Sequence, residues 1–509
     1  MHATIDDRQT FRPLRFATIR SRRQGICALI IFTAFICLAA VPGLAQVVSD
    51  DAIERAVTRQ LMNDNYLQAQ LIDVTAENGI VTLTGTVDLL ITSQRAAEVA
   101  MTVKGVRSLI NRLAVWSPSR SDEAIRDDVL TALELDPVAD TGEVAVAVRD
   151  GEAVLTGRVD SWQEKTLVEI PVKGIPGVRA VVNRLEVDVP SKRADSQMAA
   201  EIDQRLAWDV WVTASPVTVA VADGRVTLSG VVGSLAEKER VVAMAWVTGV
   251  HSVDANGLVV DWQQYQAHLG SRMPKQYPDT GIEKAIEGTL QRDPRISSMA
   301  EITVMAENGV VTLQGVVDVL SASRAAEADA RNTAGVWMVE NLIKVRPAIG
   351  SDYRAMPDVD LEMARKVRLA LLLAPGVRQD QVSVTVSQFI AVLEGKVASR
   401  FARQRAGDAA AGVRGVVTVI NRLEVVPGRV RTDLSDWEIR HDIESELRWS
   451  PFVDERDVYV AVDDGTAVLT GVVEDLRARR AATVNARQGG ARLVRNHLKV
   501  RHGPDFLKP

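Results

Sequence analysis

Cysteine is nearly absent from this sequence. The 509 residues include two cysteines, Cys27 and Cys37, and both lie in one apolar run near the N-terminus. If export removes that run, the mature chain has no thiol, which excludes a disulfide, a thiolate nucleophile and a cysteine-ligated metal. An exported chain without disulfides is held together by packing alone.

Aromatic side chains are also scarce. They make up 4% of the sequence, against 47% apolar and 25% charged residues. The apolar and charged fractions are ordinary for a soluble globular chain and unlike those of a disordered or membrane-embedded one. Because valine and alanine are abundant, we expect small aliphatic cores.

Sequence signals of enzymes are missing as well. The sequence contains no Walker-type phosphate loop, no G-x-S-x-G elbow and no H-x-x-H pair. Asp463-Asp464-Gly465 lacks the alternating ligands of a calcium loop and is typical of a turn. These patterns predict no catalytic residue, no metal site and no cofactor.

The first 45 residues have a composition of their own. Arginines precede an apolar run over residues 26–41, and small residues follow at Pro42-Gly43-Leu44-Ala45. This layout predicts a secretory signal peptide over residues 1–45, with an uncleaved membrane anchor as the alternative. Cleavage leaves 54 basic and 64 acidic residues, a net charge of −10. That charge disfavours nucleic acid, and contact with an anionic membrane would need a local basic patch.

A short strand pattern recurs along the rest of the chain. Each copy has leucine two residues before a glycine and valine two residues after it, an alternation typical of a β-strand. The glycines of these copies are Gly85, Gly157, Gly230, Gly315, Gly395 and Gly471. A second glycine lies 19 or 20 residues further on in each copy, at Gly105, Gly177, Gly249, Gly335, Gly415 and Gly490. An asparagine follows six residues later in all copies but the third, which has Ala255.

A helical pattern precedes every copy. Apolar residues are spaced i, i+4, i+8, as in Ile53, Val57 and Leu61, and they mark one face of an amphipathic helix. Between the two glycines, alanine- and arginine-rich stretches predict a second helix. Asn-Gly or Asp-Gly pairs such as Asn78-Gly79 predict tight hairpins, and Ser387-Gln388 in the fifth copy predicts a different turn.

Together these patterns predict an α+β fold of six tandem two-layer modules, each helix–strand–strand–helix–strand. The predicted modules span residues 49–115, 121–189, 196–260, 279–345, 358–426 and 435–500. Module 1 resembles module 4, module 2 resembles module 5, and module 3 resembles module 6. This ABC–ABC order indicates that a unit of three modules was duplicated whole. Residues 261–278 carry no repeat pattern and predict a linker between two three-module halves, where we expect limited proteolysis to cut first.

The module pattern resembles the BON domain, a family named for osmotically inducible periplasmic proteins (protein Y among them) and a nodulation-linked group. The V-x-L-x-G-x-V strand, the second glycine and the asparagine-containing last strand carry this resemblance over residues 49–500. The resemblance implies a location in the periplasm or at its membranes and binding of phospholipid surfaces or partner proteins without catalysis. Six copies exceed the one to three that most family members carry.

Two groups of residues are candidates for binding. The twelve glycines above could contact a ligand, but glycine in a strand or after a helix is more often structural. Clustered arginines near the start of two second helices could grip lipid phosphates, although a solvated helix face is the simpler interpretation. These arginines are Arg400, Arg403, Arg405, Arg477, Arg479 and Arg480. Trp208, Trp211 and Trp449 could be interfacial anchors or fillers between modules.

The leading hypothesis is a non-enzymatic, exported binding protein that attaches to anionic phospholipid or to envelope proteins, in a role connected with osmotic or envelope stress. The alternative is a soluble periplasmic scaffold that binds proteins or solutes. The sequence leaves the oligomeric state open.

Overall fold

A computed structural model describes residues 48–501 apart from short gaps, and residues 48 onward form one compact unit. The gaps are residues 65–66, 68–70, 117–119, 137, 139–143, 189–192, 213–215, 271–276, 298–299, 347–356, 375–376, 378–380, 398–399 and 427–433. The predicted signal peptide over residues 1–45 lies outside the described residues.

Each of the six modules has the predicted order of helix, two strands, helix and strand. The first helices are Asp50–Asn63, Asp122–Leu135, Asp195–Trp208, Asp279–Leu290, Pro357–Leu372 and Asp436–Trp449. The first strands are Ile72–Glu77, Val144–Arg149, Val217–Ala222, Glu301–Glu307, Val382–Ser387 and Val458–Asp463. The second strands are Ile80–Val87, Glu152–Val159, Arg225–Val232, Val310–Val317, Ile390–Val397 and Thr466–Val473.

The second helix and the last strand complete each module. The second helices are Leu90–Met101, the pair Trp162–Leu167 and Glu169–Lys173, Leu235–Ala245, Leu320–Asn332, Arg400–Gly412 and Leu476–Gln488. The third strands are Ser108–Val115, Ala180–Val187, Ser252–Val260, Met338–Val345, Thr418–Val425 and the interrupted strand Leu493–Asn496 with Lys499–Val500. Pro171 accompanies the break in the second helix of module 2, as expected of a residue without an amide hydrogen.

Every sheet places its second strand in the middle. The first strand pairs with it antiparallel, and the third pairs with it parallel after crossing over through the second helix. In module 1 this register sets Leu83 between Val74 and Asn111. The α+β two-layer prediction is therefore confirmed, with helices on one face of each sheet and the other face left uncovered.

The apolar stripe of each first helix is the centre of each core. In module 1, Ile53, Val57 and Leu61 are at most 2% exposed and pack with Val81 and Leu83 of the central strand. The first helix of module 6 begins with the predicted capping box, in which Ser435 and Glu438 exchange side-chain and backbone hydrogen bonds. The second helices of modules 4, 5 and 6 contribute mainly alanine to their cores, whereas that of module 2 contributes Val172.

An aspartate at the start of each first helix binds the hairpin turn of its own module. In module 1 the Asp50 carboxylate accepts hydrogen bonds from the amides of Asn78 and Gly79, at 2.7 and 2.8 Å. The same bonds are made by Asp122, Asp195, Asp279, Asp360 and Asp436. Each carboxylate fixes the helix against the sheet.

Module 5 uses the same turn class as the other modules, which corrects the sequence prediction. Its central turn residues are Gln388 and Phe389, with φ of 52° and 62°, matching Asn78 and Gly79 at 52° and 74°. Two residues with positive φ define the type I′ turn that suits the twist of a hairpin. The sequence suggested otherwise because neither residue is one that favours this conformation.

The twelve glycines of the repeat pattern, called here the hallmark glycines, have structural roles. Gly315 has φ of 149°, and a Cβ there would lie 1.9 Å from the carbonyl oxygen of Glu301 on the paired strand. Gly335 has φ of 86°, and a Cβ there would meet Tyr277 at 2.6 Å. The other glycines of both sets also have positive φ. Backbone conformation and close approach therefore account for the pattern.

The asparagine of the third strand joins that strand to the second helix. In module 1 the Asn111 amide donates to the Ser93 carbonyl at 3.2 Å, and its oxygen accepts from the Leu113 amide at 3.1 Å. Modules 2, 4, 5 and 6 repeat both bonds. Module 3, which has Ala255 instead, shows a register shift between Thr227 and Ser229.

Residues 261–278 are not a plain linker, which corrects the sequence prediction. Trp262–Gly270 is a helix, and its Tyr265 is fully buried against Gly233 of module 3. Residues 271–276 lie outside the described part of the chain. The sequence predicts that limited proteolysis cuts first within residues 261–278. We do not expect that cut to fall within residues 262–268, which belong to the helix.

Two of the contacts between the halves of the chain are equivalent junctions. Module 3 meets module 4 where the Trp208 carbonyl accepts from the Ala334 amide at 2.7 Å. Module 6 meets module 1 where the Trp449 carbonyl accepts from the Lys104 amide at 3.1 Å. These residues occupy matching positions in the ABC–ABC order. The halves are thus parts of one packed body rather than two bodies on a linker.

Candidate functional site

Arg477 is buried, and this corrects its assignment as a lipid contact. It is 2% exposed, and its guanidinium donates to the Tyr265 hydroxyl and, at 3.2 Å, to the Trp211 carbonyl of module 3. Burial acts to lower the pKa of Arg477, but the negative charge of Asp475 and the other polar neighbours outweigh it and raise the pKa. Arg477 therefore joins modules 3 and 6 and is not presented to a surface.

The other predicted arginines differ in their surroundings. Arg480 is half-buried and donates to the carbonyls of Arg331 and Val336 in module 4, and burial lowers its pKa to about 10. Arg403 is exposed and donates to the Asn421 carbonyl at 3.1 Å. Arg405 and Arg479 are half-buried, and the side chain of Arg400 lies outside the described part. Arg403, Arg405 and Arg479 thus remain candidates for lipid contact.

The three singled-out tryptophans fill gaps between modules. Trp208 packs with Tyr277 at a ring distance of 5.3 Å and against the core of module 4. Trp449 packs against the core of module 1, and Trp211 meets the Phe452 ring of module 6 at 5.5 Å. They stabilise the junctions between modules rather than anchor the chain in a membrane interface.

The sheet face opposite the helices, called here the outer sheet face, carries large exposed apolar side chains in several modules. In module 4 these are Met305, Met338 and Leu342, which are 44–58% exposed and lie on the two strands that flank the central strand. In module 6 they are Tyr459 and Leu493, 71% and 53% exposed, again on the two outer strands. Exposed apolar side chains gathered on one sheet face mark contact surfaces.

A cavity of about 720 Å³ lies where modules 2, 3 and 4 meet. Its wall includes Trp162 of module 2, Trp208 and Trp246 of module 3, and the second helix of module 4. The rings of Trp162 and Trp246 are 4.2 Å apart and tilted by 43°. Its volume falls in the range of about 300–1,000 Å³ that is usual for ligand pockets. We call it the intermodule cavity.

Charged groups in the cavity wall are arranged as ion pairs. Arg240 binds Asp209 through two guanidinium nitrogens, and Arg295 lies between the carboxylates of Asp293 and Asp329. Burial, followed by the nearby Asp293 carboxylate, raises the pKa of Asp329 to about 8. Asp329 therefore holds its proton to a higher pH than an ordinary aspartate does.

The matching junction of modules 6 and 1 contains a buried acid. Glu446 is 1% exposed and accepts a hydrogen bond from the Asn63 amide at 3.0 Å. Burial raises the pKa of Glu446 to about 7. Arg205 holds the same position in module 3, so the two junctions differ in charge while sharing their backbone contacts.

Within residues 48–501, the gaps excepted, no group of three or more His, Cys, Asp and Glu is arranged to hold a metal ion. No helix in that part of the chain has the length and apolar character needed to cross a bilayer.

Sequence reasoning missed the intermodule cavity and the helix that carries Tyr265. The cavity is built from side chains of three modules, and no motif joins them along the chain. Trp162 and Trp246 were the available signal, because each stands where the second half of the chain has arginine, Arg400 and Arg487.

Comparison with known proteins finds the BON domain at residues 49–116, 121–189, 194–261, 278–347, 360–427 and 435–502. Osmotically-inducible protein Y of Escherichia coli (strain K12) is 28% identical over 144 residues, which cover 27% of this chain and 72% of that protein. The 21 kDa hemolysin of Actinobacillus pleuropneumoniae is 29% identical over 151 residues, 30% of this chain and 76% of that protein. A solved structure of CdsD, a structural protein of the type III secretion system of Chlamydia trachomatis, covers 44% of this chain and 97% of its own at 18% identity and a TM-score of 0.12, which carries no functional argument.

Proposed function

Because the chain belongs to the BON domain family, with six BON domains that cover most of its length, we propose that it is a non-enzymatic binding protein of the cell envelope. In this proposal the chain is exported to the periplasm and attaches to anionic phospholipid surfaces, with envelope proteins as the other partner class. The name of its relative, osmotically-inducible protein Y, supports a role in osmotic stress.

The observation that carries the proposal is the set of uncovered outer sheet faces. Met338 and Leu342 of module 4 and Tyr459 of module 6 expose apolar surface that no other module covers. Exposed cations on the same face, such as Lys344 two residues after Leu342, supply the charge that anionic headgroups attract, at about 1 kcal/mol for each cation near the surface. Several weak contacts on one rigid body add up through effective concentration.

Co-sedimentation with liposomes tests the proposal directly. The chain from residue 46 is incubated with phosphatidylglycerol-containing vesicles or with phosphatidylcholine vesicles, at low and high salt. We expect binding to the anionic vesicles alone, weakened by salt because screening shortens the reach of surface charges. Absence of binding under all conditions would contradict the lipid proposal and favour a protein partner, to be sought by pull-down from envelope extract.

Point variants locate the contact better than deletion of modules, since the modules support one another. Serine at both Met338 and Leu342 is expected to reduce sedimentation with anionic vesicles, and Lys344→Glu on the same sheet face is expected to do the same. The matched control is Leu130→Ser, which alters a side chain that is 41% exposed on a helix rather than on a sheet face. Equal loss in the control would contradict a role for the outer sheet face.

A second candidate function, a scaffold that binds solutes, is favoured by the intermodule cavity. Its volume and aromatic wall are those of a ligand pocket rather than of a packing defect. The two functions are compatible, because the cavity and the outer sheet faces use different residues.

A further inference from the structure

The intermodule cavity is not a general consequence of joining these modules. The cavity is lined by Trp162 of module 2, Trp246 of module 3 and Asp329 of module 4. The equivalent sequence positions, counted from the first glycine of each module, are Arg400 in module 5, Arg487 in module 6 and Val99 in module 1. A lining that was needed only to hold the junction together would be expected at both junctions. This one is specific to the junction of modules 2, 3 and 4.

Polar side chains around the cavity have hydrogen-bonding capacity that the protein does not use. Within the described residues, the indole nitrogen of Trp162 and the Nε of Arg205 are buried without an acceptor. An unmade hydrogen bond of a buried donor costs about 1–3 kcal/mol. Both side chains line the cavity. Oxygen atoms of a bound molecule would supply the missing acceptors after small side-chain movements.

Most charged groups around the cavity are paired within the protein, with Glu201 shared by Arg205, Arg193 and Arg292. Arg240 is bound to Asp209, and Arg205 to Glu201 at 2.7 Å, so these guanidinium groups already have carboxylate partners. Arg295 is likewise held by Asp293, at hydrogen-bonding distance. A charged ligand would have to break one of these pairs or bring its own charge without a partner, and both are unfavourable. The cavity thus favours a ligand without net charge.

The mouth of the cavity is open to solvent. Thr166, Glu239 and Ala243 belong to its lining and are exposed. The wall also combines flat indole rings with the amides of Gln163, Gln204 and Asn332 and the ion-paired groups. Indole faces pack against the C–H faces of sugar rings, and amides and carboxyls bind pairs of neighbouring hydroxyls.

We propose that the cavity between modules 2, 3 and 4 is a binding site for an uncharged saccharide of one to three sugar units. The tryptophans pack against the sugar rings, and the amide and charged side chains bind the hydroxyl groups. The proposal goes beyond attachment to a membrane surface, because the outer sheet faces take no part in it.

The test is a titration of the chain from residue 46 with maltose, cellobiose and N,N′-diacetylchitobiose, followed by intrinsic tryptophan fluorescence and isothermal calorimetry in lipid-free buffer. We expect saturable binding of at least one of these sugars with a dissociation constant below about 1 mM, corresponding to about 4 kcal/mol. Choline and glucose 1-phosphate serve as cationic and anionic probes of similar size, and we expect neither to bind.

Three variants connect the signal with the cavity. Ala243→Trp places a large side chain at an exposed position of the lining and is expected to weaken sugar binding at least about tenfold. Trp162→Phe removes the indole donor and is expected to weaken binding about fivefold or more, in line with the loss of one hydrogen bond. Trp116→Phe, at a tryptophan that is 72% exposed and outside the lining, is the matched control and is expected to leave binding unchanged.

Several outcomes would overturn the proposal. These are the absence of saturable binding of all three sugars up to 10 mM, taken as about ten times the expected limit, full binding by Ala243→Trp, and tighter binding of either charged probe. Because no lipid is present, failure here leaves the liposome result unaffected. Failure of the liposome experiment leaves the cavity proposal standing in the same way.

Discussion

Replacement of Arg477 by alanine should loosen the contact between modules 3 and 6. The guanidinium of Arg477 lies 3.9 Å from the Glu237 carboxylate, whose side chain is 0% exposed, and donates to the Tyr265 hydroxyl. It also lies over the rings of Tyr265 and Phe452, at 5.5 and 5.4 Å. Removal of one partner of a buried ion pair costs about 3–5 kcal/mol, because the other charge stays buried.

Hydrogen exchange of the backbone amides in helix Trp262–Gly270 is the most direct assay, because Tyr265 loses its partner in the variant. We expect Arg477→Ala to lower the free energy of opening of this helix by about 3 kcal/mol or more. Arg477→Lys keeps the charge but loses the planar guanidinium, so we expect a smaller loss of about 1–3 kcal/mol. Urea unfolding followed by tryptophan fluorescence should show the same order of stability.

Arg479→Ala is the matched control, since it removes the same residue type two positions along the same helix. Arg479 is half-buried and we expect its loss to change stability by no more than about 0.5 kcal/mol. If Arg477→Ala and Arg479→Ala had equal and small effects on exchange, the assignment of Arg477 as a buried link between modules would be refuted.

Three further predictions concern other parts of the chain. The folded-state pKa of Glu446, about 7, exceeds its usual 4.5, so the stability that its proton confers is complete below pH 4.5 and is lost as the pH rises through 7. Glu446→Gln should therefore resist urea better than the parent at pH 8, by up to about 3 kcal/mol, and equally well at pH 4; the same gap at both pH values would contradict this. Gly315→Ala should cost at least about 3 kcal/mol in thermal unfolding, because its Cβ would meet a backbone oxygen at 1.9 Å, whereas the helical control Gly288→Ala should be neutral or stabilising; similar losses in both would argue against the close approach. Gln388→Asn should stabilise module 5 by about 0.5 kcal/mol, measured by urea unfolding, because asparagine tolerates the positive φ of this turn better; a loss of stability would show that the turn geometry is wrong.

The local folds could be read from the sequence because each module is defined by short-range patterns. The i, i+4, i+8 stripe of Ile53, Val57 and Leu61 predicts a helix face directly, and the glycine-centred strand pattern predicts the alternation seen around Leu83. The capping box at Ser435 is equally local. The aspartate that binds the hairpin turn was not predicted, although it occurs in all six modules, because its partners lie 28 or more residues away.

The candidate sites depended on how modules pack, and there the sequence was a weaker guide. Arg477 and Arg403 belong to similar arginine-rich helices in the sequence, yet one is buried in a junction and the other exposed. The arginine-rich composition of the helices does not reveal this difference, because the partner of Arg477 is a tyrosine 212 residues away. The segment around Tyr265 looked like a linker for the same reason.

The sequence by itself therefore determined the six modules, their strand order, their cores and the structural use of their glycines. Those features follow from periodicity, steric restriction of φ and burial of apolar side chains within about 70 residues. Only the tertiary structure decided which arginines are buried, that the two halves form one body, and that modules 2, 3 and 4 enclose a cavity lined by Trp162 and Asp329. Burial, pKa and cavity shape depend on side chains from distant modules meeting in space, and no spacing along the chain records that meeting.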